Sequence, residues 1–407
     1  MANNFQGIQS GLAELKNYYQ GPIIDQFSED LPVKRAAEKV KQGWNGFQVV
    51  RPLRVRRNPG IGATSDGGTL PAIGRQATVQ ALISSKFNYL RFGVTGPMIK
   101  ASSSDVGSFV RAASYELEMG YEDLANDCNR QYNWTGDGEI ATVNANAVAS
   151  TTVDITGRTS DEVAGKFIDV GTVVDFYTAA GALVVSGVEV TAIANPQSAT
   201  ATLTLSSAVT VSATDVLVRS GSFENEINGL FYSIDGNTST IYSVDRSTYP
   251  AYQSNSVDAS SGQLTLDLMQ QAYNEGLRRG GKRDASYSAI YTDFDSLRFY
   301  QKLLTPDKRY ANTVEGDGGF AKKGEFYLDF NGLPVVADKD MHQVMFFVPH
   351  GVLKDYVLAD MEFADETGTM YIAQTSADSF EVRLRYFSNL FNEKPSACAV
   401  LQSYISP

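Results

Sequence analysis

Residues 47–90 read FQVVRPLRVRRNPGIGATSDGGTLPAIGRQATVQALISSKFNYL. The stretch predicts a long two-stranded ribbon. It has an extended basic strand as far as Arg57, a tip rich in glycine and proline over 58–74, and a returning strand over 78–90. Such a ribbon has few contacts within itself and is marginal in water, and its unpaired edges can pair with another chain. We therefore expect it to lie on a neighbouring copy of the same protein, so that assembly is the predicted function.

Basic residues concentrate in and just before the ribbon. Residues 34–57 hold eight bases and one acid, a net charge of +7, whereas the whole chain carries −12 and the remainder therefore −19. This distribution favours attraction between the basic segment of one copy and the acidic body of another. DNA binding by the basic segment is the alternative, but aromatic side chains that could stack on bases are sparse there. The predicted inter-subunit contacts are Lys34, Arg35, Lys39, Lys41, Arg51, Arg54, Arg56 and Arg57.

Length and composition indicate a globular protein with room for two or three domains. The chain has 407 residues, of which 43% are hydrophobic and 20% are charged. The sequence has no run of about 18 apolar residues, so no membrane-spanning helix is predicted. No secretory signal is recognisable. Two cysteines without CxxC spacing, Cys128 and Cys398, favour a reducing compartment.

A long amphipathic helix is predicted over 104–131 from apolar residues that recur every three or four positions. Gly120 lies inside this helix, where glycine costs about 1 kcal/mol relative to alanine. We predict that Gly120 is a hinge. The alternative is that it gives another element room to approach.

Residues 135–222 change in character and predict an inserted domain. Short alternating runs rich in Thr, Val and Ala are separated by turn residues, a pattern typical of a small β-sandwich or barrel. From Leu230 onwards helical and strand patterns are mixed, and two strand-like runs follow over 371–387 and 397–405. The predicted fold class is therefore α+β.

The residues that carry enzyme chemistry are few. His342 and His350 have no third ligand at metal spacing, and no G-x-S-x-G elbow is present. The Gly276–Lys282 spacing is that of a phosphate loop, but Arg283 stands where Ser or Thr is needed. An acidic cluster at Asp360, Glu362, Asp365 and Glu366 predicts a solvated face or a counter-surface for the basic segment. We predict no enzyme activity, no cofactor and no metal.

The order of these parts resembles the major capsid protein of tailed bacteriophages, the HK97-like fold. Residues 224–250, ENEINGLFYSIDGNTSTIYSVDRSTYP, are similar to a family passage in which a Gly-Leu-x-x-x-Ile-Asp segment precedes an Arg-Ser-Thr-x-Pro segment. SAIYTDFDSLRFYQKLL and FNGLPVVADKDM resemble the family's central strand–helix unit and its Gly-x-Pro-Val strand. The implied parts are an N-terminal arm (1–46), an E-loop ribbon (47–95), a peripheral domain with the spine helix (96–134), an inserted β-rich domain (135–222), an axial domain (223–370) and return strands of the peripheral domain (371–407).

The resemblance implies hexamers and pentamers that close into an icosahedral shell around double-stranded DNA, without specific DNA binding. Its implied partners are a portal protein, a separate scaffolding protein and a decoration protein, with no membrane. The implied location is the virion capsid, and the host cytoplasm during assembly. An encapsulin-type nanocompartment shell is the nearest alternative. A β-rich adhesion or glycan-binding protein and a hydrolase are further alternatives, which the scarcity of aromatic residues in 135–222 and the lack of nucleophile–base pairs disfavour.

Overall fold

The computed structural model describes residues 32–44, 46–95, 106–280, 287–304, 328–364, 372–373 and 378–407. The short amphipathic helix predicted around Ile8–Tyr19 lies outside these residues. The described helices are α1 (Pro32–Ala36), α2 (Val106–Asn133), α3 (Leu230–Ser233), α4 (Leu266–Gly280) and α5 (Phe294–Leu304).

The described strands are numbered in chain order, and many are short. They are β1 (Glu38–Val40), β2 (Gln48–Arg56), β3 (Ala77–Ser84), β4 (Lys86–Thr95), β5 (Glu139–Val143), β6 (Ala147–Thr156), β7 (Val173–Tyr177), β8 (Leu183–Ala194), β9 (Thr200–Val211), β10 (Val216–Arg219), β11 (Thr240–Ile241), β12 (Val244–Asp245), β13 (Asn255–Asp258), β14 (Tyr287–Thr292), β15 (Leu328–Phe330), β16 (Leu333–Ala337), β17 (Met345–Pro349), β18 (Leu353–Phe363), β19 (Ile372–Ala373), β20 (Ser379–Asn392) and β21 (Ala399–Gln402).

The chain divides into two compact units. The first contains the described residues up to Tyr132 together with 242–244 and 351–393, and the second contains 133–241, 245–350 and 394–407. This division differs from the predicted domains in several places, and two of them concern whole strands. Residues 351–363 were predicted in the axial domain, but β18 pairs along its length with β20 in the first unit. Residues 394–407 were predicted in the peripheral domain, but β21 lies between β13 and β17 in the second unit.

In the first unit, five strands among the described residues form a mixed sheet. Strand β20 lies between β18 on one side and β4 and β19 on the other, and β1 pairs in parallel with the outer edge of β18. Among the described side chains of α2, the buried apolar ones are Tyr121, Leu124, Cys128 and Tyr132, which recur every three or four residues and so form one face. Tyr132 donates or accepts a hydrogen bond at 3.0 Å with Tyr386 of β20, so this face packs on the sheet.

The returning half of the predicted ribbon is shorter than expected. Strands β2 and β3 pair in antiparallel register from Gln48 opposite Ser84 to Arg56 opposite Ala77. After Ser85 the chain leaves the ribbon, because β4 pairs over its whole length with β20. The ribbon therefore ends at Ser84, and residues 86–95 belong to the sheet of the first unit.

Residues 139–219, all of which the structure describes, form a closed six-stranded barrel. Its strand order is β10-β5-β6-β9-β8-β7, and every pairing is antiparallel. The inward residues are apolar and fully buried, as the alternation of β9 shows with Ala201, Leu203 and Leu205. The sequence left a sandwich and a barrel open, and the structure is a barrel. The sequence did not identify β5 and β6.

The second unit also contains an open sheet. Its order among the described strands is β13-β21-β17-β14-β16-β15, with parallel and antiparallel pairs. Helices α4 and α5 pack on it through Met269, Ala272, Phe299 and Tyr300. The apolar run over 333–337 predicts a strand, and it coincides with β16. The apolar spacing over 293–304 predicts a helix, which begins one residue later as α5.

Arg246 holds together the two halves of the passage that carried the family resemblance. Its side chain is completely buried and donates two hydrogen bonds to the carboxylate of Asp235, at 2.7 and 3.0 Å. It also donates to the carbonyl and the hydroxyl oxygen of Ser239, both at 2.8 Å. The Ile-Asp and Arg-Ser-Thr segments are therefore joined by a buried bidentate ion pair.

Candidate assembly surface

The root of the ribbon is fixed to the first unit. Val49, Ala81 and Ile83 are buried there. The amide of Leu82 donates to the carbonyl of Tyr242 at 2.9 Å, and the side-chain amide of Asn389 donates to the carbonyl of Ser84 at 2.8 Å. Strand β2, which begins in this root, has nine residues and is about 30 Å long at the usual rise per strand residue. The direction in which the ribbon leaves the first unit is therefore set by packing at its root.

The tip of the ribbon has a defined shape. A Cβ added to Gly60 would lie 2.8 Å from the amide nitrogen of Gly74, so the two sides of the tip approach at a distance that only glycine allows. The side-chain oxygen of Asn58 accepts a hydrogen bond from the amide of Gly60 at 2.8 Å. The Gly/Pro-rich sequence thus closes the tip through backbone contacts.

Three large apolar side chains at the tip are left in solvent. Ile61, Leu70 and Ile73 are 84%, 79% and 103% exposed. Burying such a side chain gains about 1.5–3 kcal/mol, and the tip realises none of this in the single chain. None of these three residues belongs to the contacts predicted from the sequence. The sequence signal that could have identified them is that each is a large apolar residue isolated within the glycine-rich tip.

The distal ribbon also carries charge that the chain itself does not neutralise. Arg54, Arg56 and Arg57 are exposed, and within the part of the chain that the structure describes none of them forms an ion pair. Asp66 is the single acidic residue between 46 and 84. The ribbon therefore presents apolar groups at its tip and positive charge along its strands.

Other predicted contact residues are engaged within their own chain. Lys39 and Lys41 both form ion pairs with Asp360, and Arg51 pairs with Glu393 at 2.8 Å. The acidic face at Asp360 is thus a counter-surface for the basic segment of the same chain. Arg35 lies exposed on α1.

Lys34 is anchored in the core of the first unit. Its ammonium group is buried and lies 4.1 Å from the ring centroid of Tyr386. Burial lowers the pKa of Lys34 to about 8, against the opposing charge of Asp355. The hydroxyl of Tyr386 donates to Asp355 at 3.1 Å, and burial raises the pKa of that carboxyl. Lys34 therefore fixes α1 to the sheet, a position that differs from the surface role predicted for it.

Gly120 faces the sheet at a point where no room is left for a side chain. A Cβ added there would lie 2.6 Å from a terminal methyl group of Leu90 on β4. The helix α2 runs through this position from Val106 to Asn133. The close approach of Leu90 corresponds to the alternative explanation for this glycine, and the hinge stays a prediction.

Replacing Gly120 with Ala separates the two explanations. Alanine should favour the helix by about 1 kcal/mol, but the Leu90 contact should cancel this gain, so the free energy of unfolding should not increase. In a Leu90→Ala background the gain should reappear. The hinge prediction concerns a helix that bends before an assembled shell matures, so it is supported if Gly120→Ala slows the expansion of the shell in both backgrounds. Unchanged expansion in both would contradict the hinge.

The two linkers of the barrel lie side by side. The amide of Glu224 donates to the carbonyl of Asp137 at 2.9 Å. Glu139 begins the first barrel strand, and Thr142 donates to its carboxylate at 2.8 Å. Burial raises the pKa of Glu139 to about 7, and the neighbouring Asp137 adds to the rise.

We expect the stability of the barrel to fall as Glu139 ionises. Because the folded-state pKa lies above the ordinary value, its stabilising contribution is complete below about pH 4.5 and is lost as the pH rises through 7. Glu139→Gln should therefore be more stable than the parent by about 1–3 kcal/mol at pH 8 and by much less at pH 5. Urea unfolding at both pH values measures this. Thr142→Val removes a hydrogen bond that lowers the pKa of Glu139, so the loss of stability should move to higher pH. Parallel pH profiles of stability for the parent and Glu139→Gln would contradict the raised pKa of Glu139.

The described residues include potential metal-binding groups, both cysteines and both histidines. No set of three or more His, Cys, Asp or Glu side chains there is placed to hold a metal ion. Cys128 and Cys398 are buried and free, and burial raises the pKa of Cys128. His350 is exposed, whereas His342 is buried. None of the described helices combines the length and the hydropathy that a membrane crossing requires.

Comparison with known proteins identifies the fold. No protein-family model and no curated protein matches the chain. The cyanophage A-1(L) capsid asymmetric unit aligns with a TM-score of 0.56 and 13% identity over 92% of this chain and 93% of that chain. Two further structures align less well. The capsid of a native GTA particle gives a TM-score of 0.48 and 8% identity over 92% of this chain and 90% of that chain. The holo-SrpI encapsulin complex from Synechococcus elongatus gives a TM-score of 0.47 and 8% identity over 92% of this chain and 89% of that chain. At these identities the likeness shows the fold alone. The chain has the mixed α and β, HK97-like fold of a phage capsid protein, which confirms the resemblance seen in the sequence.

Proposed function

We propose that this protein is a non-enzymatic structural subunit that self-assembles into hexamers and pentamers of a closed icosahedral shell enclosing double-stranded DNA. The observation that supports this most directly is the ribbon. Its root is packed and hydrogen-bonded, yet its tip exposes Ile61, Leu70 and Ile73 almost completely. Exposed apolar groups on a fixed support are typical of a surface that binds another protein.

The two properties of the ribbon serve different purposes in this proposal. The tip residues supply affinity by leaving water when they reach a second copy. Arg54, Arg56 and Arg57 orient the ribbon on the acidic body of that copy, because charge complementarity sets specificity and association rate more than affinity. Each contact is small, but a closed shell repeats it in every subunit.

The remaining partners follow from this assembly. We propose a separate scaffolding protein, a portal protein and a decoration protein, with assembly in the host cytoplasm and the finished protein in the virion. The barrel stabilises contacts within a hexamer or pentamer, since both of its linkers tie it closely to the second unit. The charge of −19 outside residues 34–57 keeps packaged DNA from adhering to the wall, so no specific DNA site is needed.

Electron microscopy of the purified protein tests the proposal. Uniform hollow particles support a shell, and a monodisperse monomer at micromolar concentration would contradict it. DNA content then distinguishes the two kinds of shell. Particles from the native source should protect double-stranded DNA of uniform length from nuclease. Particles that contain an enzyme and no DNA would indicate a nanocompartment instead.

A further inference from the structure

An aromatic box encloses a buried ion pair where the barrel meets the open sheet of the second unit. The guanidinium of Arg158 lies 4.2 Å from the ring centroid of Trp134 and 4.4 Å from that of Phe167. It donates to both carboxylate oxygens of Glu162, at 2.9 and 2.5 Å. Both side chains are almost completely buried. The barrel loop over 157–168 is therefore organised around one fully desolvated pair.

His342 forms the wall of this box on the side of the open sheet. Its ring centroid lies 5.0 Å from that of Trp134 and 5.0 Å from that of Phe231, edge-on to both. The side chain is 5% exposed. Its Nδ1 has no hydrogen-bond partner among the described residues. A neutral imidazole fits this apolar surrounding, whereas an imidazolium would lack an acceptor there.

The loop that carries His342 also holds the barrel loop directly. The backbone amide of the next residue, Gln343, donates to the carboxylate of Asp161 at 2.6 Å. An open cleft of about 160 Å³ adjoins this contact. The charged groups that face His342 or line the cleft are Arg158, Asp161, Glu162 and Lys166 of the barrel loop, Asp338, Lys339 and Asp340 of its own loop, and Asp293 and Asp295 at the start of α5.

The buried position of His342, more than the charge of these groups, makes its protonation unfavourable. Burial lowers the pKa of His342 to about 4. The charge of Glu162 opposes this change, and that of Arg158 adds to it. Glu162 already forms the bidentate ion pair with Arg158. Burial would raise the pKa of Glu162, but the hydrogen bonds and charge of Arg158 outweigh it and hold that pKa below the usual value.

We propose that His342 is a proton-operated lock on the barrel: in its neutral form it holds the loop 157–168 against the open sheet, and in its protonated form it releases that loop while the barrel stays folded. The released barrel remains tethered by its two linkers. By proton linkage, a lowering from 6.5 to about 4 means that full protonation disfavours the docked arrangement by about 300-fold relative to a solvated one.

Trp134 provides a reporter inside the box. The chain has two tryptophans, so Trp44→Phe leaves Trp134 alone. Its fluorescence should change as the loop is released, with a midpoint between pH 6.5 and about 4, in a titration of the full chain from pH 7 to pH 3. The transition should disappear in His342→Gln. The matched control is His350→Gln, which removes the other histidine and should leave the midpoint in place.

A second reporter distinguishes release from unfolding. Trp44 lies in the first unit, where its indole donates to Val357. In a Trp134→Phe variant, the Trp44 signal should stay constant through the pH at which Trp134 responds. Coincident transitions of the two reporters would mean global unfolding and would overturn the proposal. If His342→Gln does not fold, Lys166→Met decides. It removes a charge that lowers the pKa of His342 in the docked arrangement. That arrangement then tolerates protonation better, so the midpoint of release should move to lower pH, and an unmoved midpoint would overturn the lock.

Discussion

A chain in which an Asn-Gly turn replaces residues 57–76 is expected to fold normally and to form no shells. Arg56 and Ala77 face each other in the register of the ribbon, and Asn-Gly is the preferred two-residue connection of such strands. The deletion removes the exposed apolar groups of the tip but none of the buried residues at the root. The free energy of unfolding should therefore change by less than about 1 kcal/mol. Electron microscopy and sedimentation should show subunits or small oligomers only.

Two groups of substitutions separate the contributions of the tip and of the charge. The combined substitutions Ile61→Ser, Leu70→Ser and Ile73→Ser should abolish assembly at all salt concentrations. Arg54→Glu, Arg56→Glu and Arg57→Glu together should weaken it most at low salt, where charge interactions are least screened. The matched control reverses three exposed arginines elsewhere, Arg278, Arg279 and Arg298, with the same change in net charge. Normal shells from the turn variant, or equal loss in the control, would contradict the role given to the ribbon.

The largest loss of stability from a single substitution is expected at Arg246. Arg246→Met removes four hydrogen bonds and leaves the Asp235 carboxylate, whose side chain is only 18% exposed, without its partner. Breaking a buried ion pair from one side usually costs about 3–5 kcal/mol. Denaturant unfolding should show this loss as a lower midpoint without a change of slope.

The same change at an exposed arginine provides the control for Arg246. Arg278 pairs with Glu275 on α4, and its side chain is 71% exposed. Such surface pairs contribute about 0–1 kcal/mol, so Arg278→Met should have little effect. A double change of Arg246→Met with Asp235→Leu should recover part of the loss, because no uncompensated carboxylate remains. A loss below about 1 kcal/mol in Arg246→Met alone would show that the network is not a stabilising lock.

Elements with a strong local pattern could be predicted from the sequence. Hydrophobic periodicity, together with turn residues a few positions away, predicts the ribbon strands, the long helix and strand β16. The first two barrel strands were missed because TVNANAVASTTVDIT contains few large apolar residues, and its Ala and Asn weaken the strand signal. Their place in the barrel is fixed by pairing with β9 and β10, which local sequence does not show.

Pairings between distant parts of the chain account for the remaining differences. Lys39 and Asp360 are 321 residues apart, so the sequence could show a basic segment and an acidic cluster but not that the two belong to one chain's surface. Likewise, the assignment of β18 and β21 to opposite units depends on their strand partners. Lys34 was predicted as an inter-subunit contact because it belongs to the basic segment, and its position in the core depends on the acidic and aromatic groups that surround it.

The order in which the strands are made has a consequence for synthesis on the ribosome. The chain enters each unit more than once, and β21 lies inside the sheet of the second unit between β13 and β17, although it follows the other strands of that sheet in the sequence. A nascent chain that stops before this strand cannot complete that sheet. Prematurely terminated products should therefore be cleared by proteases as unfolded material, and few of them would survive to compete with full-length chains for a place in a growing particle.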